Sequence, residues 1–466
     1  MLLAKLAFRS LLRRKGRMAL IASLVVVGTV LLIFGGTFAA SAKSASRQAI
    51  IHYFTGDFII YAEKSKDLPS PFSFNTPLPV IENLDDIQNW LSSQTQVETY
   101  ASYAQNFGQV QVKKGGKTYD LPFIFYAVDP PRYEQTFENV PMDQGSFFKD
   151  KVGATSPGIV ISVHQNQQYL ERYGITLSPG DEITLLSLTS GGSVNAVPSK
   201  VQGIYNPAYY KNVFNYINFM DIVTYSQLYN FTGVSAGSLP DAFTQAMSAT
   251  SDEDIFGLAD SEALFLDTDT LTQEKLTGYT MVAVRLKDHE MTAEFLEKLK
   301  AQGWPVKTAL WSEASTFFAQ VADILQMVIL GATGLIFLIT AFILMNTQII
   351  NIIERTGEIG TLRAIGAEKS FVVNLFMWES VILNGGAAII GMVVSLGLIA
   401  WFSVGGIALP EIMSQYLVGG GPLKMEFTPW PFISGFILVL GVTLLATLYP
   451  TRVASGISPL TAMNSR

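Results

Sequence analysis

The chain has 466 residues, of which 49% are hydrophobic and only 15% are charged, whereas a typical soluble domain has about 25% charged residues. The formal charge is −7, which argues against a chain-wide nucleic-acid binder. With no cysteine and three histidines, the composition also excludes disulfides, thiolate metal sites, a catalytic cysteine and a His-rich metal centre.

Four long windows contain no Asp, Glu, Lys or Arg: residues 18–42, 324–353, 380–410 and 427–451. Each exceeds the roughly 20 apolar residues that a helix needs to cross a hydrocarbon core of ~30 Å. The first window is also longer than the apolar region of a signal peptide, which favours a retained anchor. We therefore predict four transmembrane helices, at 18–41, 319–350, 371–403 and 432–450. The fourth begins late because of two early prolines.

The orientation follows from the cations near the ends of the spans. Residues 1–17 contain six Lys or Arg and no acid, and cations concentrate on the cytoplasmic side of a membrane. The predicted layout is a cytoplasmic N-terminus at 1–17, an extracytoplasmic domain at 42–318, a cytoplasmic loop at 351–370, an extracytoplasmic loop at 404–431 and a cytoplasmic tail at 451–466. The domain at 42–318 has 19 Lys and Arg against 31 Asp and Glu, a net charge of −12. It therefore lacks the excess of cations that is typical of cytoplasmic segments.

The domain between the first two spans alternates strand and helix signals, and this indicates an α+β fold of two closely connected subdomains. The predicted strands are 57–61, 107–112, 118–128, 158–162, 182–187, 200–205, 221–224, 279–286 and 306–310. The predicted helices are 80–93, 164–173, 226–231 and 289–302. Two pairs of these strands read as hairpins, one with its turn at Gly115-Gly116 and one with its turn near Gly191-Gly192.

The segment 68–79 (LPSPFSFNTPLP) holds four prolines and is predicted to be irregular. Two interpretations stay open: a simple surface connection, or an apolar contact for a partner or a lipid-bearing cargo. The second would use Phe72, Phe74 and Leu78.

A search for chemistry finds no phosphate-binding loop, no zinc-protease motif, no nucleophile elbow and no Ser/His/Asp set at a suggestive spacing. We predict no catalytic, cofactor-binding or metal-binding residue. Glu379, near the start of the third span, is predicted to lie at the membrane interface or to make a polar contact with a neighbouring helix. Small residues in the spans are predicted to allow close helix packing, namely Gly331, Ala332, Gly334, Gly385, Gly386 and Gly391.

The cytoplasmic loop contains a short helical pattern at 353–367 (IERTGEIGTLRAIGA). Glu354 and Glu358 are one turn apart, apolar residues line another side, and Gly366 is a suitable helix stop. These residues alone favour a connecting helix at the inner membrane surface over a binding element.

The run 354–398 (ERTGEIGTLRAIGAEKSFVVNLFMWESVILNGG…) and the closing run 449–463 (YPTRVASGISPLTAM) resemble the core signatures of FtsX/MacB-type ABC permeases. Segments of the outer domain, at 56–63, 158–186, 201–230 and 279–303, resemble lipoprotein-releasing permeases of the LolC/LolE type. The resemblance implies a MacB-like periplasmic domain, a location in the inner membrane and ATP use only through a separate cytoplasmic ABC ATPase dimer. It also implies a second permease copy or a paralogue, and it leaves a lipoprotein cargo and a periplasmic carrier open.

In that family the loop between the second and third spans is a coupling helix that sits in a groove of the ATPase. Carried over position by position, the contact residues would be Glu354, Glu358, Ile359, Leu362, Arg363, Ala364, Gly366 and Ala367. The expected function is a non-catalytic permease subunit that transmits ATP-driven motion to its outer domain, to extract or release lipoproteins. Two alternatives stay open: a transmitter that regulates a wall hydrolase or a sensor partner, and an exporter of peptides or amphiphilic drugs.

Overall fold

The computed structural model describes residues 15–69, 78–149, 157–189, 193–229, 232–234, 273–275 and 278–455. The chain divides into two compact units. We name the first, Met1–Arg47 with Phe317–Arg466, the helical unit, and the second, Gln48–Thr316, the sheet unit.

The helices are α1 (Lys15–Ile50), α2 (Leu84–Ser93), α3 (Pro130–Thr136), α4 (Val163–Tyr173), α5 (Lys211–Phe214), α6 (Ile222–Tyr229), α7 (Thr292–Lys300), α8 (Trp311–Ala314), α9 (Thr316–Glu354), α10 (Thr356–Ala364), α11 (Lys369–Gly405), α12 (Glu411–Val418) and α13 (Pro429–Ser455). A π-helical turn, Ile51–Thr55, follows α1. The strands are β1 (Phe58–Ala62), β2 (Val97–Lys114), β3 (Lys117–Val128), β4 (Met142–Gly145), β5 (Ile159–Ser162), β6 (Glu182–Leu188), β7 (Val194–Tyr205), β8 (Asn218–Asp221), β9 (Thr232–Val234), β10 (Gln273–Lys275), β11 (Met281–Leu286) and β12 (Val306–Leu310).

One mixed sheet of ten strands organises the sheet unit. Its order is β12-β1-β11-β2-β3-β8-β5-β7-β4, and β6 pairs with both β2 and β7. The pairs β3–β8 and β5–β7 are parallel, whereas β9 and β10 form a separate two-stranded pair. The two predicted subdomains therefore share one continuous sheet.

Two apolar clusters hold helices against this sheet. In the first, Phe123 and Phe125 of β3 pack with Tyr169 of α4 and Tyr225 of α6. In the second, β1 and β11 pack with α2 and α7, and Phe295 of α7 is fully buried. Helix α2 buries Leu84, Ile87 and Leu91, a spacing of three and four residues that places all three on one face.

Most of the predicted strands and helices of the sheet unit exist, and β12 has the predicted bounds. The prediction at 221–224 was wrong, because α6 begins at Ile222. Asp221 caps this helix: its Oδ1 accepts hydrogen bonds from the N–H groups of Val223 and Thr224, each at 3.0 Å. The predicted start of β2 at residue 107 was also wrong by ten residues, because residues 100–106 are buried on both faces of the strand and the burial does not alternate. The sequence analysis missed α3, β4, α5 and α12.

Four helices of the helical unit, α1, α9, α11 and α13, are long and apolar enough to cross a membrane. Each extends beyond its predicted span by between two and nine residues at either end. Helix α13 begins at Pro429, where a first-turn proline costs no intrahelical hydrogen bond, and it continues through Pro450 to Ser455. Helix α9 has 39 residues, a length of about 58 Å at the usual rise per residue.

Glycines set the distance between α1 and its neighbours. A Cβ added at Gly391 of α11 would lie 2.7 Å from Thr29 Cβ, and one added at Gly435 of α13 would lie 2.4 Å from Leu32 Cδ2. Gly391 therefore packs closely against α1 as predicted, whereas the close packing at Gly435 was not predicted. At Gly331, Gly334 and Gly386 an added Cβ would have no described neighbour within 4 Å, so the close packing predicted for these three is absent from the part of the chain that the structure describes.

Candidate functional site

Helix α10 is a nine-residue element between two candidate membrane spans, α9 and α11. It is shorter than the predicted 353–367, because the chain leaves helical geometry at Arg355, whose φ and ψ are −102° and 11°. The Thr356 hydroxyl donates to the Ile353 carbonyl at 2.6 Å, which satisfies one backbone acceptor at this break. At the other end Gly366 has a φ of +101°, a conformation that favours glycine. The predicted glycine stop is therefore present.

A buried ion pair fastens this loop to α11. Arg355 Nη1 donates to both carboxylate oxygens of Glu379, at 2.9 and 2.8 Å. The two side chains are only 13% and 8% exposed. Arg355 Nε donates to Glu358 Oε2 at 2.8 Å, and the guanidinium lies 5.0 Å from the centre of the Phe376 ring. Hydrogen bonds between oppositely charged groups are shorter and stronger than those between neutral groups.

Two alternatives were predicted for Glu379, and the structure shows one of them: a polar contact with a neighbouring element. The sequence analysis gave Arg355 no role in the site. The available signal was Glu379 itself, an acid in an otherwise apolar part of a helix. A buried carboxylate requires a cation nearby. The sequence could not show which cation supplies that charge, because the pair is 24 residues apart.

An apolar cluster next to the ion pair adds a second attachment. It consists of Ile352, Ile359, Val372 and Phe376. Ile359 is 2% exposed, so the chain's own side chains cover it. We correct its predicted role: Ile359 holds α10 in place and does not contribute to the exposed surface of the loop.

The other seven predicted contact residues lie on or beside the exposed side of the loop. Glu354, Glu358, Ala364 and Gly366 are exposed, whereas Leu362, Arg363 and Ala367 are half-buried. Two further apolar residues, Ile353 and Ile365, are 66% and 81% exposed. Leu362 and Ala367 line a shallow groove of about 470 Å³ together with Phe371.

Arg363 has a polar atom that the described part of the chain does not satisfy. Its Nε is buried but has no hydrogen-bond partner among the described residues. Buried donors in folded proteins nearly always have a partner.

The remaining predicted residues lie in the sheet unit. Phe72 and Phe74 are outside the described residues. Leu78 is 8% exposed and lines an apolar groove of about 900 Å³. Within the described ranges, no group of three or more His, Asp or Glu side chains is arranged to hold a metal ion.

Two family models match this chain and together cover both units. The MacB-like periplasmic core domain matches residues 18–302, and the FtsX-like permease C-terminal domain matches residues 330–459, which include α10 and the Arg355–Glu379 pair. The chain belongs to the FtsX/MacB family of ABC transporter permeases. The resemblance in the sequence is thus confirmed, as is the fold class of four transmembrane helices with a large α+β extracytoplasmic domain between the first two.

Several characterised relatives are similar over part of the chain. The macrolide export ATP-binding/permease protein MacB of Hyphomonas neptunium is 29% identical over 30% of this chain and 19% of its own length. The ABC transporter permease YtrF of Bacillus subtilis is 29% identical over 32% of this chain and 34% of its own. The lipoprotein-releasing system transmembrane protein LolE of Haemophilus influenzae is 20% identical over 42% of this chain and 48% of its own. The matches thus span between a fifth and a half of these relatives.

Of these three relatives, one is named for macrolide export, one for lipoprotein release and one for no cargo. They therefore support a transporter permease without selecting its cargo.

Proposed function

We propose that this chain is the permease subunit of an ABC transporter of the inner membrane, and that it passes ATP-driven movement from a separate cytoplasmic ATPase dimer to its extracytoplasmic sheet unit. The observation that carries the proposal is the construction of α10. Its inner side is fixed to α11 by the Arg355–Glu379 pair, and its outer side exposes acids and apolar residues.

The exposed side has the composition of a protein-binding surface. Ile365 is a large apolar residue of the loop that is 81% exposed, and exposed apolar residues of this kind mark interaction sites. Glu354 and Glu358 add exposed negative charge to the loop. An ATPase groove with apolar walls and at least one basic residue would complement these groups.

The attachment of α10 explains how a push on it would travel. The helix is held to α11 by an ion pair and by the cluster of Ile352, Ile359, Val372 and Phe376. Because packed interfaces of this kind move as units, a displaced α10 would displace the start of α11 with it. In this proposal α10 and the two chain termini lie on the cytoplasmic side, and the sheet unit lies on the other side. Two permease chains, either identical or paralogous, serve one ATPase dimer.

For the cargo, we propose a lipid-anchored protein that is extracted or released at the outer face of the membrane, with a periplasmic carrier as the receiving partner. The relative named for lipoprotein release supports this choice, since it matches 42% of the chain. The low charge of the spans also supports it, because each candidate span contains a long window without Asp, Glu, Lys or Arg, and a pathway for hydrophilic solutes needs polar lining. A second candidate is export of a macrolide-like amphiphile, which the MacB relatives favour.

The test is reconstitution of the chain with its ATPase in liposomes that contain a fluorescent lipoprotein. The expected result is release that requires ATP and that stops when the ATPase is inactivated by substitution. If ATP is hydrolysed without release, and an added macrolide is moved across the bilayer instead, the second candidate replaces the first.

A further inference from the structure

The sheet unit contains an apolar groove of about 900 Å³. Its described walls come from β2, β3, β6, β7 and α6, and from residues 78–80. The volume lies within the range of about 300–1,000 Å³ that is typical of ligand pockets. Leu78, one of the three residues that the sequence singled out as a partner or cargo contact, is part of it.

The described lining carries no charge. None of its residues is Asp, Glu, Lys, Arg or His, although residues 42–318 contain 31 acids and 19 bases. Three of its apolar side chains are exposed in one place: Phe107 is 55% exposed, Leu188 is 60% exposed and Val194 is 74% exposed. A neutral, exposed apolar concavity in an acidic domain selects an uncharged apolar ligand.

The polar groups of the lining already bond to one another. The Tyr229 hydroxyl donates to the Phe107 carbonyl at 2.8 Å and accepts from Ser187 Oγ at 2.7 Å. Asn106 Oδ1 accepts from the Phe107 N–H at 2.9 Å, and Asn106 Nδ2 lies 3.4 Å from the Tyr225 hydroxyl. Burial raises the pKa of the Tyr229 phenol to about 12, so it remains a neutral donor at physiological pH.

These bonds also occupy the backbone of Phe107, at the strand edge that a peptide would use. The last β2 residue that pairs with β11 is Tyr103, and the first that pairs with β6 is Gln109, so no described strand covers the edge between them. A peptide that adds to a sheet edge needs the backbone N–H and C=O groups there. At Phe107 both are occupied by side chains of the protein itself. The groove therefore favours a ligand without hydrogen-bonding groups over an extended peptide.

We infer that this groove binds a hydrocarbon chain, namely an acyl chain of a lipid-anchored protein. The inference rests on the proposed function and gives the lipid part of the cargo a location in the sheet unit. The aliphatic walls, Leu78, Leu186, Leu188 and Val194, would contact the methylene groups, and the faces of Phe107 and Tyr225 would form the remaining surface.

The experiment uses the full chain in lipid nanodiscs and a diacylated peptide with a photoreactive diazirine in one acyl chain. After irradiation, mass spectrometry locates the labelled residues. We expect labels within 106–109 and 186–189. Leu188→Glu should lower this labelling at least tenfold, since a carboxylate would then lie in the apolar wall. Leu170→Glu on α4 is the matched control, because Leu170 is 51% exposed and is not among the lining residues. This variant should be labelled as strongly as the wild type. Val194→Glu provides a second blocking variant at an exposed position.

Competition separates the acyl chain from the peptide. An excess of the unlabelled acylated peptide should remove the label, whereas the same peptide without acyl chains should not. If the peptide alone competes, the groove is a protein-binding surface and the inference is overturned. It is also overturned if Leu188→Glu and Leu170→Glu label equally.

The release assay distinguishes this inference from the function on which it rests. If Leu188→Glu and Val194→Glu release a lipoprotein at the wild-type rate, the groove does not bind the acyl chain during release, and the proposed function stands. If the wild type releases nothing, the proposed function fails, even if the labelling pattern is the expected one.

Discussion

Arg355 and Glu379 are opposite charges that are almost completely removed from water. Taking two charges out of water is costly, and only close pairing offsets that cost. Here one guanidinium nitrogen of Arg355 bonds to both carboxylate oxygens of Glu379, and Arg355 also contacts Glu358 and the Phe376 ring. The pair therefore defines one geometry for the turn between α9 and α10, and any other geometry would leave a buried charge without its partner.

A pair of single substitutions and their combination tests this role. Arg355→Met and Glu379→Met should each destabilise the helical unit by about 3–5 kcal/mol, because each leaves one buried charge alone. The double variant should recover most of that loss, since it buries no charge. Thermal unfolding of the purified protein in nanodiscs measures all three. Additive losses in the double variant would show that the two side chains act independently.

At the residue scale, the sequence identified the exposed side of the loop better than its attachment. The family resemblance placed Glu354, Glu358 and Leu362 on the candidate surface, and all three are exposed or half-buried. It assigned Ile359 to the same surface, where the structure buries that residue. Spacing fixes which side chains share a face, but a partner distant in sequence decides which face is covered.

At the scale of elements, α10 is the part that the proposal depends on most. Glu358→Lys and Leu362→Asp should each abolish co-purification of the ATPase, the first by reversing a charge and the second by placing a charge in an apolar contact. Glu358 is 58% exposed, so loss of its surface pair with Arg355 should cost at most about 1 kcal/mol of stability. The chain should therefore remain folded.

Glu411→Lys is the matched control for the charge reversal, because Glu411 is an exposed acid at the start of α12, in the loop predicted to be extracytoplasmic. It should leave ATPase association unchanged. Retention of the ATPase by both α10 variants would remove the assignment of α10 as the coupling helix.

Close packing of α1 against α11 gives a second prediction at this scale. Gly391→Ala should destabilise the helical unit by about 1–3 kcal/mol, because its Cβ would lie 2.7 Å from Thr29 Cβ and 3.0 Å from the Val26 carbonyl oxygen. Gly397→Ala, on the same helix, meets no described atom within 4 Å and should be neutral or slightly stabilising. Equal midpoints of thermal unfolding for the two variants would contradict the packing described for α11.

The elements that the sequence predicted well are those with a clear period or a clear stop. Helix α4 ends at Gly174 in the left-handed conformation, and β12 has its predicted bounds. The first half of β2 was missed because its residues 100–106 are buried without alternation, and the strand predicted at 221–224 was wrong because Asp221 caps a helix. Both errors come from tertiary contacts that a local pattern does not contain.

At the scale of the whole molecule, charge and hydropathy carried most of the information. Four charge-free windows predicted four apolar helices, and the structure has four helices of that kind. The strand order of the ten-stranded sheet could not be predicted from the sequence, because β2 pairs with strands that are distant in the chain, among them β11. No local rule gives the order of such strands.

The proposed coupling to a cytoplasmic ATPase requires that α10 is exposed on the cytoplasmic side of the membrane. The chain has no cysteine, so Thr361→Cys on α10 and Glu411→Cys on α12 each introduce a single thiol at an exposed position. With a membrane-impermeant maleimide, the account predicts that intact cells label Glu411→Cys only, and that Thr361→Cys reacts after the membrane is opened and is protected by the bound ATPase. Labelling of Thr361→Cys in intact cells would place α10 outside, where no cytoplasmic ATPase could reach it, and would contradict the account.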